Sequence, residues 1–209
     1  MCYVTKTVIR HHLEYCVQVW SPVGEHGSWG TILNIEAVQR RFTRLIDNIG
    51  TLPYSERLRA LGLTTLAERR VRGDLIETYK IMSNNVPYGN DLFNVGKAGI
   101  NLISKPSSNV TTKCSRNFIS EGVIGYWNRL PQFCKTSSSI NVFKSNLEYY
   151  KKCNSHISDV GNFWEISNIV LEKIEGPNYV KNKVAYNEYL LENPFVARRR
   201  GINTLVSDH

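Results

Sequence analysis

The sequence predicts a mostly α-helical protein: a small helical assembly with one long loop and an appended helical tail. At least five segments carry apolar residues every three or four positions, which is the spacing of a single helix face. Only residues 101–104 have the pattern of an extended segment. Of the 209 residues, 42% are hydrophobic and 11% are aromatic, which is enough for a buried core and excludes wholesale disorder.

A helical hairpin over residues 54–82 carries the strongest local signals. Ser55 is placed to cap the start of a short helix, and Gly62 can adopt the left-handed conformation that ends it. Residues 65–68 (Thr-Leu-Ala-Glu) have the spacing of a capping box, so a longer second helix is predicted to begin there. The apolar face of this second helix consists of Val71, Leu75, Tyr79 and Met82.

Two more helices are predicted ahead of the hairpin, separated by a Gly- and Ser-rich loop over residues 23–30. The first spans residues 4–20 and carries Cys16 on its apolar stripe, where we interpret the thiol as a small core side chain. The second spans residues 32–46. Its predicted buried face consists of Ile35, Val38, Phe42, Leu45 and Ile46.

Behind the hairpin, residues 84–116 have no periodicity and are predicted to form a loop. Helices are predicted again over residues 117–154, where the serines of residues 137–139 are candidate caps. Their apolar stripes consist of Ile119, Val123, Trp127 and Leu130, and then of Ile140, Phe143, Leu147 and Tyr150. We interpret residues 155–209 as an appended tail, with helices beginning at Asn162 and Lys183. The domain division is therefore 1–83, 84–116, 117–154 and 155–209.

Four sequence blocks carry a family resemblance. They are residues 12–22, residues 38–46, residues 54–81 with Ala-Leu-Gly-Leu and Gly-Asp-Leu-Ile-Glu-Thr-Tyr-Lys, and Trp-Asn-Arg-Leu-Pro over residues 127–131. Together they resemble the region behind the polymerase palm in non-LTR (LINE-type, jockey-like) retrotransposon reverse transcriptases, over about residues 1–154. The resemblance implies a helical, thumb-like fold. His11 stands where that family usually has proline, and Gly122 where it usually has arginine.

The family resembled is RNA-directed DNA polymerase, but the resemblance covers none of its catalytic residues. Such a polymerase holds two Mg²⁺ ions with palm aspartates, and the sequence contains no Asp-Asp pair. Asp47, Asp74 and Asp91 stand alone and are interpreted as caps or solvated side chains. The adjacent pair His11 and His12 lacks chelating spacing, and no phosphate-binding glycine motif occurs. We expect a chain that is not an enzyme and takes no metal or other cofactor.

The charge is compatible with a polyanionic partner, although many globular proteins are equally basic without binding one. The net charge is +8, and residues 1–154 carry 20 Lys and Arg against 11 Asp and Glu, whereas residues 155–209 carry 6 against 7. The resemblance places basic helices against a template, so we predict RNA or DNA backbone contacts. The candidate contact residues are Arg40, Arg41, Arg44, Arg69, Arg70, Arg72 and Lys80. The alternative is a solvated surface, or ion pairs with Glu36, Glu68 and Asp74.

Two broader alternatives stay open at this point. The chain could be a structural or interaction module, or a retroelement remnant without selected activity; it could also complete a polymerase whose palm lies on another chain. Its five cysteines are odd in number and widely spaced, which favours a reducing compartment. No long apolar run occurs at the N-terminus. We therefore expect an intracellular, cytoplasmic or nuclear protein without a membrane partner.

Overall fold

The structure, a computed structural model, describes residues 10–20, 29–83, 92–96, 101–103, 119–154 and 163–176. Within these ranges the protein is mostly helical with one two-stranded sheet, which confirms the predicted fold class. The helices are α1 (Arg10–Glu14), α2 (Val17–Trp20), α3 (Trp29–Arg44), α4 (Tyr54–Leu61), α5 (Leu66–Met82), α6 (Ile119–Gly122), α7 (Ile124–Arg129), α8 (Gln132–Lys135), α9 (Ile140–Asn154) and α10 (Glu165–Glu175). The strands are β1 (Asn94–Val95) and β2 (Leu102–Ile103).

Helix α5 lies at the centre of the fold. Ten of its 17 residues are buried, because α3, α9 and α10 pack around it and α2 and α7 also contact it. Its start is capped as predicted, since the Thr65 hydroxyl oxygen accepts a hydrogen bond from the Glu68 N–H at 3.2 Å. Tyr79 stacks on Phe143 of α9 with ring centroids 4.4 Å apart. The second helix of the hairpin is therefore the element on which the others assemble.

Helix α4 ends as predicted but begins differently. Gly62 has φ 60°, and its N–H completes the last turn. The prediction that Ser55 caps the helix by accepting a hydrogen bond is wrong, because Pro53 occupies the capping position. Ser55 lies inside the first turn, and its N–H and hydroxyl donate to the two carboxylate oxygens of Glu175 at 2.6 and 2.9 Å. A carboxylate from α10, 120 residues away in sequence, thus caps α4.

Helix α3 presents a different side to the core from the one predicted. It begins at Trp29, inside the predicted loop, and ends at Arg44. Its buried residues are Ile32, Glu36, Gln39 and Thr43. The predicted buried face instead lies at the edge of the core or in solvent, where Phe42 is 37% exposed and Leu45 is 62% exposed. The prediction of that face is therefore wrong.

The N-terminal helix is interrupted. Helices α1 and α2 are separated at Cys16, which has φ 50° and so departs from right-handed helical geometry. Cys16 is exposed, so its assignment to the core is wrong, whereas Val17 is buried. Residues 4–9 of the predicted helix lie outside the described residues.

The Trp-Asn-Arg-Leu-Pro block has a structural explanation. Trp127 and Leu130 are buried together with the other two residues of their predicted stripe. The side-chain amide of Asn128 makes two hydrogen bonds to the backbone of Leu102. Its oxygen accepts from the Leu102 N–H at 2.8 Å, and its nitrogen donates to the Leu102 carbonyl at 2.9 Å. Strand β2 confirms the extended segment predicted there and pairs antiparallel with β1, which lies in the predicted loop.

Helix α9 agrees with its prediction. Phe143 and Leu147 are fully buried, and the Ser139 hydroxyl accepts a hydrogen bond from the Val142 N–H at 3.3 Å.

Residues 163–176, in contrast, do not form an appendage. Helix α10 and the two residues before it contribute to the same hydrophobic cluster as Leu75. The buried residues in question are Phe163, Trp164, Ile166 and Val170.

The domain boundary predicted at residue 155 therefore separates parts of one core. Helix α10 ends at Glu175, and Gly176 follows it with φ 63°, a conformation that favours glycine, so the helix stops where the sequence predicts. The helix predicted from Lys183 and the arginines of residues 198–200 lie outside the described residues. None of the helices described is both long and apolar enough to cross a membrane.

Candidate nucleic-acid interface

The structure divides the seven predicted contact residues into three groups. Arg40, Arg41 and Arg44 lie on the C-terminal half of α3, where Arg41 and Arg44 are exposed and Arg40 is half-buried. The second group, on α5, is ion-paired and consists of Arg69, Arg72 and Lys80. Arg70 forms the third group by itself, because it is buried.

The ion-paired residues hold helices together. Arg69 donates from Nε and Nη2 to the two carboxylate oxygens of Glu14 at 2.5 and 2.9 Å, which raises the pKa of Arg69. Arg72 pairs with Glu148 of α9 at 2.8 Å. Such partly exposed pairs are each worth about 0–1 kcal/mol. A phosphate would have to displace a carboxylate to reach these cations, so they are poor candidates for backbone contacts.

The alternative prediction, that the basic residues form ion pairs, is therefore correct for this group. The carboxylates that pair with them are not the ones predicted, however. Lys80 pairs with Glu77 on its own helix at 2.8 Å. Glu68, which was expected to bind one of the arginines, instead accepts a hydrogen bond from Lys151 of α9.

Arg70 is the clearest correction to the predicted site. It is 1% exposed, and none of its three guanidinium nitrogens has a hydrogen-bond partner among the residues that the structure describes. Burial lowers its pKa, while the charges of Glu36 and Asp74 act in the opposite direction. A residue off the main apolar face was expected to be in solvent, but α5 is covered on a second side by α3. Arg70 therefore cannot contact a phosphate in this fold.

Asp74 was predicted to be a cap or a solvated side chain, and this is wrong. It lies in the middle of α5 and is 6% exposed, and within the described ranges its Oδ1 atom has no hydrogen-bond partner. Burial raises the pKa of Asp74 to about 7, although the Arg70 charge acts against the shift. Asp47 is exposed as predicted, and Asp91 lies outside the described residues.

We predict that Asp74 makes stability depend on pH. Its folded-state pKa of about 7 exceeds the ordinary value of 3.8, so the folded state binds the extra proton between these values. Its contribution is fully present below about pH 4 and is lost as the pH rises through 7. At about 1.4 kcal/mol per pH unit, the loss between pH 5 and pH 8 is about 2–3 kcal/mol. Denaturant unfolding at both pH values should show a loss that is smaller by this amount in Asp74→Asn than in the wild type, because the buried Glu36 carboxyl, whose pKa burial also raises, is still present in the variant.

The matched control for this prediction is Asp47→Asn, which removes the same charge from an exposed position. It should keep the pH dependence of the wild type. If Asp74→Asn also kept that dependence, the buried carboxyl would not be its source.

A buried polar network fixes the orientation of α3. The Glu36 carboxylate is fully buried and accepts hydrogen bonds from the Tyr54 hydroxyl at 2.6 Å and from the Leu66 N–H at 2.9 Å. Burial raises the pKa of Glu36 and of Tyr54. Gln39 donates to the Tyr54 oxygen at 2.9 Å and to the Thr64 carbonyl at 3.0 Å. With these residues facing inward, the helix turns its arginines outward.

We call Arg40, Arg41 and Arg44 the arginine surface. Within the described part of the chain, none of the three has an ion-pairing carboxylate. The chain passes close to the end of α3 at Gly50. A Cβ added to Gly50 would come within 2.3 Å of the Arg44 carbonyl oxygen, so only glycine fits at this position. Cations in the last turn of a helix also interact favourably with its dipole, which is the purely structural explanation of two of these arginines.

Arg57 is a neighbour of this surface that the sequence did not indicate. It is 2% exposed and donates from Nη1 to the Arg40 carbonyl at 3.2 Å. Burial and then the Arg44 charge lower its pKa, which places several cations close together. The only local signal was its position in the basic pattern of α4, and that pattern does not reveal burial.

Other kinds of site find little support in the described ranges. No group of three potential metal ligands occurs there. His12 is exposed, and the side chain of His11 lies outside the described residues. Trp127 is a core residue, as predicted, and is not positioned for stacking on bases.

Comparisons with protein-family models, with curated proteins and with solved structures found no match to this chain. The resemblance to reverse transcriptases therefore rests on the four sequence blocks. The fold and the geometry of the arginine surface stand independently of it.

Proposed function

We propose that this chain is a non-catalytic protein related to the post-palm region of non-LTR retrotransposon reverse transcriptases, and that it binds the backbone of RNA or DNA. The arginine surface is the binding element. The observation that carries the proposal is the contrast within the predicted set. Four basic residues of α5 are buried or paired, whereas those of α3 are exposed or half-buried and have no ion-pairing carboxylate in the described part of the chain.

Backbone binding fits the chemistry of this surface. Phosphate contacts require positive charge and reach but no code of donors and acceptors for base edges. Arginine also presents a planar set of donors that matches phosphate oxygens. We therefore expect weak binding to duplexes and to RNA, with little sequence preference. The sequence contains no Asp-Asp pair, so the proposal includes no polymerisation by this chain.

Replacing Arg40, Arg41 and Arg44 together with Gln should flatten the salt dependence of binding. Each neutralised phosphate releases counterions, with a log–log slope of about −0.9 per contact for B-DNA. The slope should therefore fall in magnitude by about two to three units if all three residues engage. Fluorescence-anisotropy titrations of a labelled duplex at several salt concentrations measure this change.

The matched control replaces the ion-paired residues Arg69, Arg72 and Lys80 with Gln, which removes the same number of positive charges. Because these side chains already bind carboxylates, the control should leave the slope nearly unchanged. Equal slopes for the two triple variants would mean that only net charge matters. An unchanged slope in the Arg40/Arg41/Arg44 variant would show that the arginine surface is simply solvated.

A second candidate function, an interaction module, is favoured by one observation. Phe42 and Leu45 are large apolar side chains exposed on α3, beside Ile35 and Val38, which are only partly covered.

Changing Phe42 and Leu45 to Gln should weaken a protein contact at this stripe and leave the salt dependence of nucleic-acid binding intact. Sedimentation analysis of the variant and the wild type distinguishes these effects. A chain that binds no nucleic acid and shows no such contact would fit a retroelement remnant.

A further inference from the structure

Phe42 is an exposed aromatic side chain within the arginine surface. It directly follows Arg41 in α3 and is 37% exposed. It belongs to neither hydrophobic cluster that the described residues form. Among these residues its ring also makes no contact with another aromatic ring. The packing of the described chain therefore leaves part of this ring available to a ligand.

Helical spacing places the ring and the cations on one continuous patch. Residues three and four apart on a helix are neighbours, with Cβ atoms about 5–6 Å apart. Val38 lies four positions before Phe42 and three before Arg41, and Arg44 follows Arg41 by three. Neither Arg41 nor Arg44 has an ion-pairing carboxylate in the described ranges. The last turns of α3 thus present an aromatic ring beside two exposed positive charges.

This combination suits an unpaired strand of nucleic acid. In a duplex the bases stack on one another, so a ring on a protein surface cannot reach the face of a base. Proteins that bind single strands combine positive charge along the backbone with aromatic side chains on which bases stack. Because every base has a π-face, such stacking needs no particular sequence.

We propose that the arginine surface binds single-stranded RNA or DNA, and that the Phe42 ring stacks on an unpaired base while Arg41 and Arg44 contact phosphates of the same strand. The inference rests on the proposed function and names the form of nucleic acid that the surface takes. Charge complementarity favours this occupant over a protein, because a strand supplies a negative charge at every nucleotide to cations that have no carboxylate in the described residues.

The test compares two labelled strands of equal length in titrations of the full chain. One is an oligodeoxythymidine, and the other is an abasic strand that keeps the phosphates but lacks the bases. The wild type should bind the oligodeoxythymidine more tightly by roughly 5- to 150-fold, which is the range expected for the stacking of one base. Because this comparison uses the wild type, it does not depend on how a variant folds.

Substitutions then assign the difference to one ring. Phe42→Leu keeps an apolar side chain at an exposed position but should lose most of the difference between the strands, whereas Phe42→Tyr should keep it. The matched control is Tyr149→Leu, which removes a ring that is 61% exposed on α9, next to Glu148, and should also keep the difference. The salt slope should be the same in all three variants, because no charge changes.

Equal binding of the two strands by the wild type would refute the stacking, as would a Phe42→Leu variant that keeps the full difference. The proposed function would then still be judged by the salt slope of the arginine-surface variant. If Phe42→Leu kept the difference and lost self-association in sedimentation, the ring would belong to a protein contact instead. Binding of neither strand would refute both the stacking and the proposed function.

Discussion

Deleting residues 155–209 is expected to abolish the folded state. The deletion removes four side chains of the main hydrophobic cluster, namely Phe163 at 2% exposure, Trp164 at 3%, Ile166 at 5% and Val170 at 0%. Burying a large apolar side chain contributes about 1.5–3 kcal/mol, so the four together approach the ~5–15 kcal/mol that stabilises a whole domain. The deletion also exposes the side of α5 that α10 covers.

Circular dichroism and urea unfolding of a chain ending at residue 154 measure this effect. The matched comparison is a chain ending at Gly176, which keeps α10 and differs from the shorter chain by residues 155–176. We expect cooperative unfolding in the longer chain only. A cooperative, fully helical chain ending at residue 154 would mean that residues 155–209 are an appendage, as the sequence had indicated.

Changing Leu75 to Asp is expected to unfold the protein. Leu75 is 0% exposed and lies on the central helix within the main hydrophobic cluster. A carboxylate placed there has no partner, and leaving a buried charge uncompensated costs several kcal/mol, about 3–5 in measured cases. This cost is comparable with the total stability of a typical domain, about 5–15 kcal/mol.

Gly73→Asp is the control for Leu75→Asp, because it introduces the same residue two positions earlier on the same helix. An added Cβ at Gly73 meets no atom within 4 Å, and Asp is a slightly better helix former than Gly. Far-ultraviolet circular dichroism should show helix loss in Leu75→Asp only. A helical, cooperatively unfolding Leu75→Asp variant would show that this face of α5 is not core.

The parts of the fold that the sequence predicted well share one property: several local signals coincide. In α5 the cap at Thr65 and the apolar stripe through Leu75 and Tyr79 agree. In α9 the stripe through Phe143 and Leu147 follows a serine cap. These signals arise within a few residues, so no knowledge of the tertiary structure is needed to interpret them.

The orientation of α3 could not be predicted from the same kind of pattern. Its apolar stripe is regular, but three of the four buried residues are polar, and two of these, Glu36 and Gln39, bind partners distant in sequence. Glu36 binds the Tyr54 hydroxyl 18 residues away and the Leu66 N–H 30 residues away. Buried polar groups are stable when they are hydrogen-bonded, and periodicity contains no information about such bonds.

The candidate site, like the fold, could be predicted from the sequence only in part. Clusters of arginine are visible in the sequence, and the exposure of Arg41 and Arg44 agrees with prediction. The pairing of the α5 arginines is not visible, because Glu14 lies 55 residues from Arg69 and Glu148 lies 76 residues from Arg72. Nor does the sequence show the contact of Ser55 with Glu175 across 120 residues.

The central claim is that nucleic acid meets the arginines of α3 and not those of α5. A nuclear magnetic resonance titration that follows the side-chain Nε–H signals of a ¹⁵N-labelled chain tests it most directly, with a short duplex of arbitrary sequence as the probe. We predict that the signals of Arg40, Arg41 and Arg44 shift on addition of the duplex and return as salt is added, while that of Arg70 does not move. Shifts confined to Arg69 and Arg72, with the α3 signals unchanged, would contradict the claim.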